Sequence, residues 1–150
     1  MAAAIEKVGV IGAGQMGGGI AEVCARAGVD VVVFETTEAL SAAGRARITK
    51  SLERGVSAGK ITERERDGAL NGLTFTTAMT DLADRQLVIE AVIEDEKIKA
   101  AIFAELDEII TDPDAVLASN TSSIPVMKLG AATKNPGRVL GLHFFNPVPV

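Results

Sequence analysis

The sequence predicts an α/β fold built on a doubly wound, mostly parallel sheet. Short apolar runs alternate with longer helical segments along the whole chain, which is the pattern of such folds. The runs show little polar alternation, as expected for strands covered by helices on both faces. Of the 150 residues, 47% are hydrophobic and 3% aromatic, so Ala, Val, Ile, Leu and Gly supply the core of one domain.

The first 35 residues predict a strand, a glycine turn, a helix and a second strand. Residues 8–11 form an apolar run, and residues 15–27 follow as a helix. Gly28 stands where a glycine commonly ends a helix, and the Val-rich segment 29–34 is the next strand. Together these segments predict a βαβ unit.

The segment 38–70 interrupts the alternation and predicts a helix-turn-helix excursion after the second strand. Its first helix carries an apolar stripe with a four-residue spacing, at Ile48, Leu52 and Val56. Thr62 and Glu65 form a capping-box pattern that begins the second helix. We expect the turn between the helices near 57–59.

Strands and helices alternate again in the second half of the chain. The predicted strands are 73–76, 87–91, 115–118 and 139–142. The predicted helices are 96–110 and a short one near 125–129. This order of elements is that of a single doubly wound sheet.

Composition and charge narrow the classes of function. The net charge of −5 disfavours nucleic acid and anionic membrane surfaces as partners. The single cysteine, Cys24, lies in an apolar helix, which indicates an inert core thiol and a reducing compartment. No apolar run reaches membrane-spanning length, and Met1–Lys7 resembles neither a signal peptide nor a transit peptide. We expect a cytoplasmic protein, and we identify no metal site.

A glycine-rich string after the first strand matches the pattern G-x-G-x-x-G; it reads Gly12, Ala13, Gly14, Gln15, Met16 and Gly17. It follows a strand, opens a helix and precedes a strand that ends at Glu35, which is the context of a Rossmann-type dinucleotide site. Glu35 can accept hydrogen bonds from ribose hydroxyls and would repel a 2′-phosphate, so NAD is favoured over NADP. The alternative is an ordinary tight turn.

Each glycine of the string has an expected task. Gly12 permits the tight turn, Gly14 lets the backbone approach a pyrophosphate, and Gly17 lets the helix pack close to the strand. Gly18 and Gly19 lower helix propensity, and either close packing or approach of a cofactor can account for them.

Two further strings follow the later strands. Residues 119–123 read SNTSS and residues 143–149 read HFFNPVP, while residues 89–94 read IEAVIE. With the glycine string, these segments resemble the 3-hydroxyacyl-CoA dehydrogenases over the whole chain, most closely the free-standing 3-hydroxybutyryl-CoA dehydrogenases. The resemblance implies NAD-dependent oxidation of a 3-hydroxyacyl-CoA to a 3-oxoacyl-CoA by hydride transfer, in fatty acid or butanoate metabolism (β-oxidation).

The resemblance also implies roles for individual residues. His143 corresponds to the general base or acid at the substrate hydroxyl, and Ser122 to the serine that hydrogen-bonds the substrate oxygen. Asn120 is expected near the nicotinamide, with Glu94 and Lys99 along the cofactor. All of them lie near the carboxyl ends of predicted strands, where open α/β sheets bind ligands.

Each of these residues also has a simpler interpretation. Taken alone, His143 beside Phe144 and Phe145 indicates a core or packing histidine. Ser122 can cap the short helix that follows. Lys99 reads as a solvated charge on a helix.

Residues 40–60 have a net charge of +4 from five basic residues and one acidic residue. One interpretation is a docking surface for coenzyme A phosphates, and the other is a solvated helix face. In the family that the chain resembles, a Ser and a Lys of this helical pair contact CoA. Ser51 matches the Ser, whereas Ala58 occupies the position of the Lys, with Arg54 and Lys60 nearby.

The family places a glutamate twelve residues beyond the histidine and a helical domain after it. We therefore expect residues 1–150 to be an NAD-binding domain, without the helical dimerisation and substrate domain that makes the full-length form a homodimer. NAD binding is expected to survive and turnover mostly to be lost. Two alternatives stay open: a related β-hydroxyacid dehydrogenase, and a non-catalytic NAD-binding module.

Overall fold

The computed structural model describes residues 3–150; Met1 and Ala2 of the N-terminal segment analysed above lie outside them. Six parallel strands form one sheet in the order β3-β2-β1-β4-β5-β6. Their bounds are β1 Lys7–Ile11, β2 Asp30–Phe34, β3 Leu73–Thr76, β4 Leu87–Glu90, β5 Val116–Ser119 and β6 Val139–Gly141. The order of the strands along the sheet reverses between β1 and β4, which is the place where such folds bind ligands. The predicted Rossmann-type fold is confirmed, with a wholly parallel sheet.

Within residues 3–150, five α-helices connect the strands. They are α1 Gln15–Arg26, α2 Glu38–Ser57, α3 Glu63–Asn71, α4 Glu96–Ile109 and α5 Val126–Gly130. One core cluster joins the sheet to α1, α2 and α3 through residues such as Val10, Ile20 and Leu52. A second cluster joins the other face to α4 and α5 through Phe103 and Leu129. Both faces of the sheet are therefore covered, as the unalternating strands predicted.

The helix-turn-helix excursion is confirmed in detail. Gly59 supplies the turn with a positive φ of 70°, and the predicted capping box at Thr62 and Glu65 is formed. Short 3₁₀ turns at Met79–Leu82 and Pro136–Arg138 were not predicted. None of the helices within residues 3–150 combines the length and the hydropathy needed to span a bilayer.

The fifth strand begins one residue later than predicted, and the short helix after it is likewise displaced by one. The N–H of Ala115 donates to Asp112 and closes a turn, which delays the strand to Val116. The strand then extends to Ser119, which pairs with Glu90 in the sheet register. Two polar side chains thereby come together at the carboxyl edge of the sheet.

Candidate cofactor and substrate site

The glycine turn between β1 and α1 has the shape of a phosphate-binding loop. Gly12 has a φ of +97°, and a Cβ there would come within 2.8 Å of the Ala91 carbonyl oxygen. A Cβ at Gly17 would collide with the carbonyl oxygen of Gly12, whereas Gly14 has open space around it. No side chain within residues 3–150 caps the N-terminus of α1. Its first N–H groups are therefore free for an anionic ligand, and the turn fits a pyrophosphate.

Glu35 directly follows β2 and reaches back to the glycine turn. Its carboxylate accepts a hydrogen bond from the N–H of Ala13 at 2.6 Å and one from the N–H of Thr36 at 3.3 Å. From the other side, Arg47 of α2 donates to the Ala13 carbonyl at 2.7 Å. The turn is thus held at both polar groups of Ala13, and the Glu35 carboxylate lies beside the glycine turn.

The two glycines that follow the string differ in their surroundings. A Cβ at Gly19 would lie 2.9 Å from the Cβ of Val148, so close packing of the C-terminal segment explains this residue. A Cβ at Gly18 would make only ordinary contacts, the nearest at 3.6 Å to the Ala13 carbonyl oxygen. Of the two interpretations, close packing therefore applies to Gly19.

A cleft of about 480 Å³ opens at the carboxyl edge of the sheet, and we call it the cofactor cleft. It brings together most of the residues that the sequence singled out. They are Gly14, Gln15, Met16, Glu94, Lys99, Asn120, Ser122 and His143. Its size is within the range of small-molecule sites.

Glu94 holds the turn that carries Ser122. Its carboxylate accepts a hydrogen bond from the Thr121 hydroxyl at 2.6 Å and from the N–H and hydroxyl of Ser122 at 3.2 and 3.3 Å. Burial opposes the charged carboxylate, but these hydrogen bonds and the charge of Lys99 outweigh it and lower the pKa of Glu94. Glu94 is therefore ionised at neutral pH.

Two of the simpler interpretations are wrong. Ser122 does not cap α5: the helix has Pro125 at its N-cap without a side-chain hydrogen bond, and the Ser122 hydroxyl donates to Glu94. Lys99 is not a solvated charge, because only 2% of it is exposed and its ammonium lies 2.5 Å from the Glu90 carboxylate. The apolar surroundings of α4 bury the lysine stem, and the Glu90 carboxylate pairs with its ammonium.

His143 is exposed, which excludes a core histidine but not a packing one, because its ring contacts that of Phe145. Its ring lies 4.9 Å from that of Phe145, centroid to centroid. Asn120 fixes the segment, because its side-chain oxygen accepts a 2.7 Å hydrogen bond from the N–H of Phe144. The end of β5 therefore positions the residues that follow β6.

A second cleft, of about 370 Å³, lies between α1, α2 and the C-terminal segment, and we call it the basic cleft. It brings together Ser51, Arg54, Ala58 and Lys60, the residues that the sequence singled out in the excursion. Arg26 and Arg47 add two further cations to its lining. Gln15 and Asn146 line both clefts, so the two are adjacent.

The sequence profile of the family described as "3-hydroxyacyl-CoA dehydrogenase, NAD binding domain" matches residues 7–150. The chain belongs to this family. A 3-hydroxybutyryl-CoA dehydrogenase of Mycobacterium tuberculosis (strain ATCC 25618 / H37Rv) is 75% identical over 150 residues, covering 100% of this chain and 52% of that protein. The family identifies the cofactor of this domain as NAD, as predicted from the glycine string and Glu35.

Solved structures agree with the family assignment. The crystal structure of M. tuberculosis FadB2 superposes with a TM-score of 0.98 at 76% identity, over 99% of this chain and 52% of that one. The (S)-3-hydroxybutyryl-CoA dehydrogenase PaaH1 from Ralstonia eutropha gives a TM-score of 0.94 at 41% identity, over 98% and 52%. The chain spans about half the length of the relatives that it matches.

The sequence analysis missed three residues of this NAD-binding domain. Glu90 ends β4 as a wholly buried carboxylate. Glu22 of α1 is 3% exposed and lines the basic cleft, where burial raises its pKa despite a hydrogen bond from Ser51 and nearby arginines. Asn146 was noticed only as part of a string. A charged residue inside an apolar run was the available signal for Glu90.

Proposed function

We propose that the domain takes part in NAD-dependent oxidation of a 3-hydroxyacyl-CoA, such as (S)-3-hydroxybutyryl-CoA, to the 3-oxoacyl-CoA. One observation carries the proposal: Ser122 and His143 line the same cleft as the first turn of α1. A proton-transferring imidazole and a hydroxyl donor thus lie beside a dinucleotide site. The relatives that are 3-hydroxybutyryl-CoA dehydrogenases support the same reaction.

The chemistry assigned to the chain's own residues is proton transfer and charge stabilisation. NAD, when bound, supplies a nicotinamide that accepts hydride from C3. The His143 imidazole takes the proton of the C3 hydroxyl during oxidation and returns it during reduction. The Ser122 hydroxyl donates a hydrogen bond to the same oxygen as negative charge develops there.

The arrangement of Ser122 is compatible with that role. At 3.3 Å, the hydrogen bond from its hydroxyl to Glu94 is long for two oxygen atoms and therefore weak. The hydroxyl can turn from Glu94 towards a substrate oxygen while its N–H keeps the turn in place. Asn120 contributes by holding the segment after His143.

The basic cleft is proposed as the docking surface for coenzyme A. Its cations, together with the Ser51 hydroxyl, suit phosphate groups. Because Gln15 and Asn146 line both clefts, a long thioester bound in the basic cleft can extend its acyl end into the cofactor cleft. Arg54 and Lys60 take the place of the lysine that Ala58 replaces.

We also propose the domain organisation, the assembly, the area of metabolism and the location that the sequence predicts. Residues 1–150 act as the NAD-binding domain, and the full-length family form supplies the helical domain and a homodimer. The reaction belongs to fatty acid or butanoate metabolism in the cytoplasm. The membrane and nucleic acid are not proposed as partners, consistent with the net charge of −5.

One observation favours the alternative of a non-catalytic NAD-binding module. Within residues 3–150, no hydrogen bond is made to the His143 side chain, which is exposed. An imidazole without a partner carboxylate is a weak general base, because nothing fixes its tautomer or stabilises its cation. This alternative predicts that the chain binds NADH but not an acyl-CoA.

The deciding experiment follows NADH oxidation by acetoacetyl-CoA, with NADH binding measured in parallel by fluorescence. In the full-length family form, His143→Ala and Ser122→Ala are expected to lower turnover at least about a hundredfold with NADH binding retained. Ser123→Ala is the control, because this exposed neighbour does not line the cleft. NADH binding without any binding of acetoacetyl-CoA would refute the dehydrogenase proposal in favour of the module.

A further inference from the structure

Beneath the cofactor cleft, three elements meet at one buried carboxylate. Glu90 has 0% exposure and accepts three hydrogen bonds. The donors are the Ser119 hydroxyl at 2.6 Å, the Lys99 ammonium at 2.5 Å and the N–H of Val92 at 2.7 Å. They belong to β5, to α4 and to the segment after β4, so one side chain links three elements that border the cleft.

The links continue from Glu90 to the residues of the cleft. The Ser119 hydroxyl, which donates to Glu90, accepts a hydrogen bond at 3.2 Å from the N–H of Thr121. Thr121 and Ser122 are in turn held by Glu94. On the other side, the Lys99 ammonium donates to the Val92 carbonyl at 3.3 Å and lies 3.7 Å from the Glu94 carboxylate. Glu90, acting through Ser119, and Glu94 therefore both help to hold the turn that carries Ser122.

Stability alone is a poor explanation for this arrangement. A buried ion pair gains little over well-packed apolar residues, since removing two charges from water is costly. Its benefit is geometric, because each short charged hydrogen bond fixes both partners. The sheet register places Glu90 directly opposite Ser119 at the edge where the cofactor binds.

We propose that Glu90 and Ser119 are positioning residues that hold Lys99 and the Thr121–Ser122 turn in place at the cofactor end of the cleft. Glu90 touches neither cofactor nor substrate and acts through Lys99, while Ser119 acts through Thr121. The part that concerns Ser122 rests on the proposed dehydrogenase function. The part that concerns Lys99 rests on the cofactor cleft alone.

The chain offers a matched control, because α4 also contributes one residue to a second buried ion pair. Asp107 and Arg138 form this pair at 2.8 Å, with 5% and 6% of their side chains exposed. Asp107 lies eight residues after Lys99 along α4, roughly 12 Å away, and does not line the cofactor cleft. Asp107→Asn therefore removes the same kind of charge from the same kind of pair, away from the site.

The first test compares Glu90→Gln with Asp107→Asn by melting temperature, by NADH titration and by the emission spectrum of bound NADH. Both variants are expected to melt at lower temperature. Only Glu90→Gln is expected to raise the NADH dissociation constant, at least fivefold, and to shift the emission maximum. Equal weakening of NADH binding by both variants, or unchanged binding in Glu90→Gln, would overturn the proposal.

The second test uses Ser119→Ala, which keeps both buried charges and serves if Glu90→Gln does not fold. We expect it to weaken NADH or acetoacetyl-CoA binding at least threefold. Combined with Ser122→Ala, it should add no further loss of acetoacetyl-CoA binding if it acts through the Ser122 turn. Full additivity, or no effect of Ser119→Ala on either ligand, contradicts the proposal. If the wild-type chain does not bind acetoacetyl-CoA, the dehydrogenase function is refuted instead. The NADH measurements then still test the positioning role of Glu90.

Discussion

In the cofactor cleft the charged side chains are held by one another, whereas in the basic cleft they extend towards solvent. Lys99 donates a hydrogen bond to Glu90, and Glu94 accepts hydrogen bonds from Thr121 and Ser122. Arg54 and Lys60 are exposed in the basic cleft, where Glu22 is the one buried charged residue of the lining and Arg47 is held by the Ala13 carbonyl. One cleft is preorganised before a ligand arrives, and the other provides charge with little fixed geometry.

Under the proposed function, the two clefts bind the two ends of an acyl-CoA in different ways. The proposed hydride and proton transfer would need atoms placed within fractions of an ångström, and the cofactor cleft has buried hydrogen bonds that fix its side chains. Phosphates on a flexible tail need only attraction, which exposed cations supply at the cost of sensitivity to salt. Substitutions should therefore have large, geometric effects in the cofactor cleft and smaller, electrostatic effects in the basic cleft.

The largest effect is expected at the glycine turn, where the geometry is tightest. Gly17→Ala places a methyl group against the carbonyl of Gly12, so α1 must shift away from the sheet. We expect a loss of about 3 kcal/mol in the free energy of unfolding, and no measurable NADH binding.

Gly14→Ala is the control, because its methyl group meets nothing within 4 Å. This variant should keep the wild-type free energy of unfolding within about 0.5 kcal/mol. It should still weaken NADH binding at least tenfold, because the methyl group lies where the pyrophosphate would approach the backbone. If both variants bind NADH like the wild type, the turn is not the phosphate site.

A smaller effect is expected from the charge of Glu35. Glu35→Gln keeps an oxygen that can accept from Ala13 but removes the charge that repels a 2′-phosphate. We expect the preference for NADH over NADPH to fall about tenfold, which is roughly 1.4 kcal/mol. Glu38→Gln makes the same change of charge on the exposed first turn of α2 and should leave the preference unaltered. Titration of each variant with both nucleotides measures the ratio, and an equal change in the two variants would mean that only net charge matters.

The basic cleft should respond more weakly and in a salt-dependent manner. Arg54→Gln and Lys60→Gln are each expected to weaken CoA binding about threefold to tenfold, with a flatter salt dependence than the wild type. Lys50→Gln removes a charge from the same helix outside the cleft and should have little effect. Calorimetric titration at low and moderate ionic strength checks both the affinity and its slope. Loss in all three variants alike would indicate attraction by the whole helix face and would remove the distinction between the clefts.

Local sequence patterns predicted most of the fold. The glycine at residue 28 and the capping box at Thr62 act through neighbouring residues, and both are present as expected. The partner of Lys99 is nine residues away on another element, and its burial depends on how α4 packs on the sheet. For the contact between Glu90 and Ser119 the sequence contained one signal, because each of these polar residues ends a strand and the two strands are neighbours. Parallel register was needed to bring them together, so periodicity alone could not reveal the pair.

The smallest effect is expected at Glu22 in the basic cleft, where burial disfavours the charged form of the carboxyl group. Burial raises the pKa of Glu22 above its usual 4.5 in the folded chain, although Ser51, Arg26 and Arg54 oppose the shift. The stability that this group contributes is therefore present below pH 4.5 and is lost as the pH rises through the folded-state pKa. At neutral pH, Glu22→Gln should stabilise the fold by up to about 1 kcal/mol, or about 3 °C in melting temperature.

The gain from Glu22→Gln should vanish as the pH falls towards 4.5, because the wild-type carboxyl is then protonated as well. Glu53→Gln on the exposed side of α2 should leave the melting temperature unchanged over the same range. A pH-independent gain would mean that packing rather than charge limits this site. A loss at neutral pH would mean that the carboxylate is held by Ser51 and the two arginines as firmly as Glu90 is held by its partners. The basic cleft would then be as preorganised as the cofactor cleft, and the contrast between them would fail.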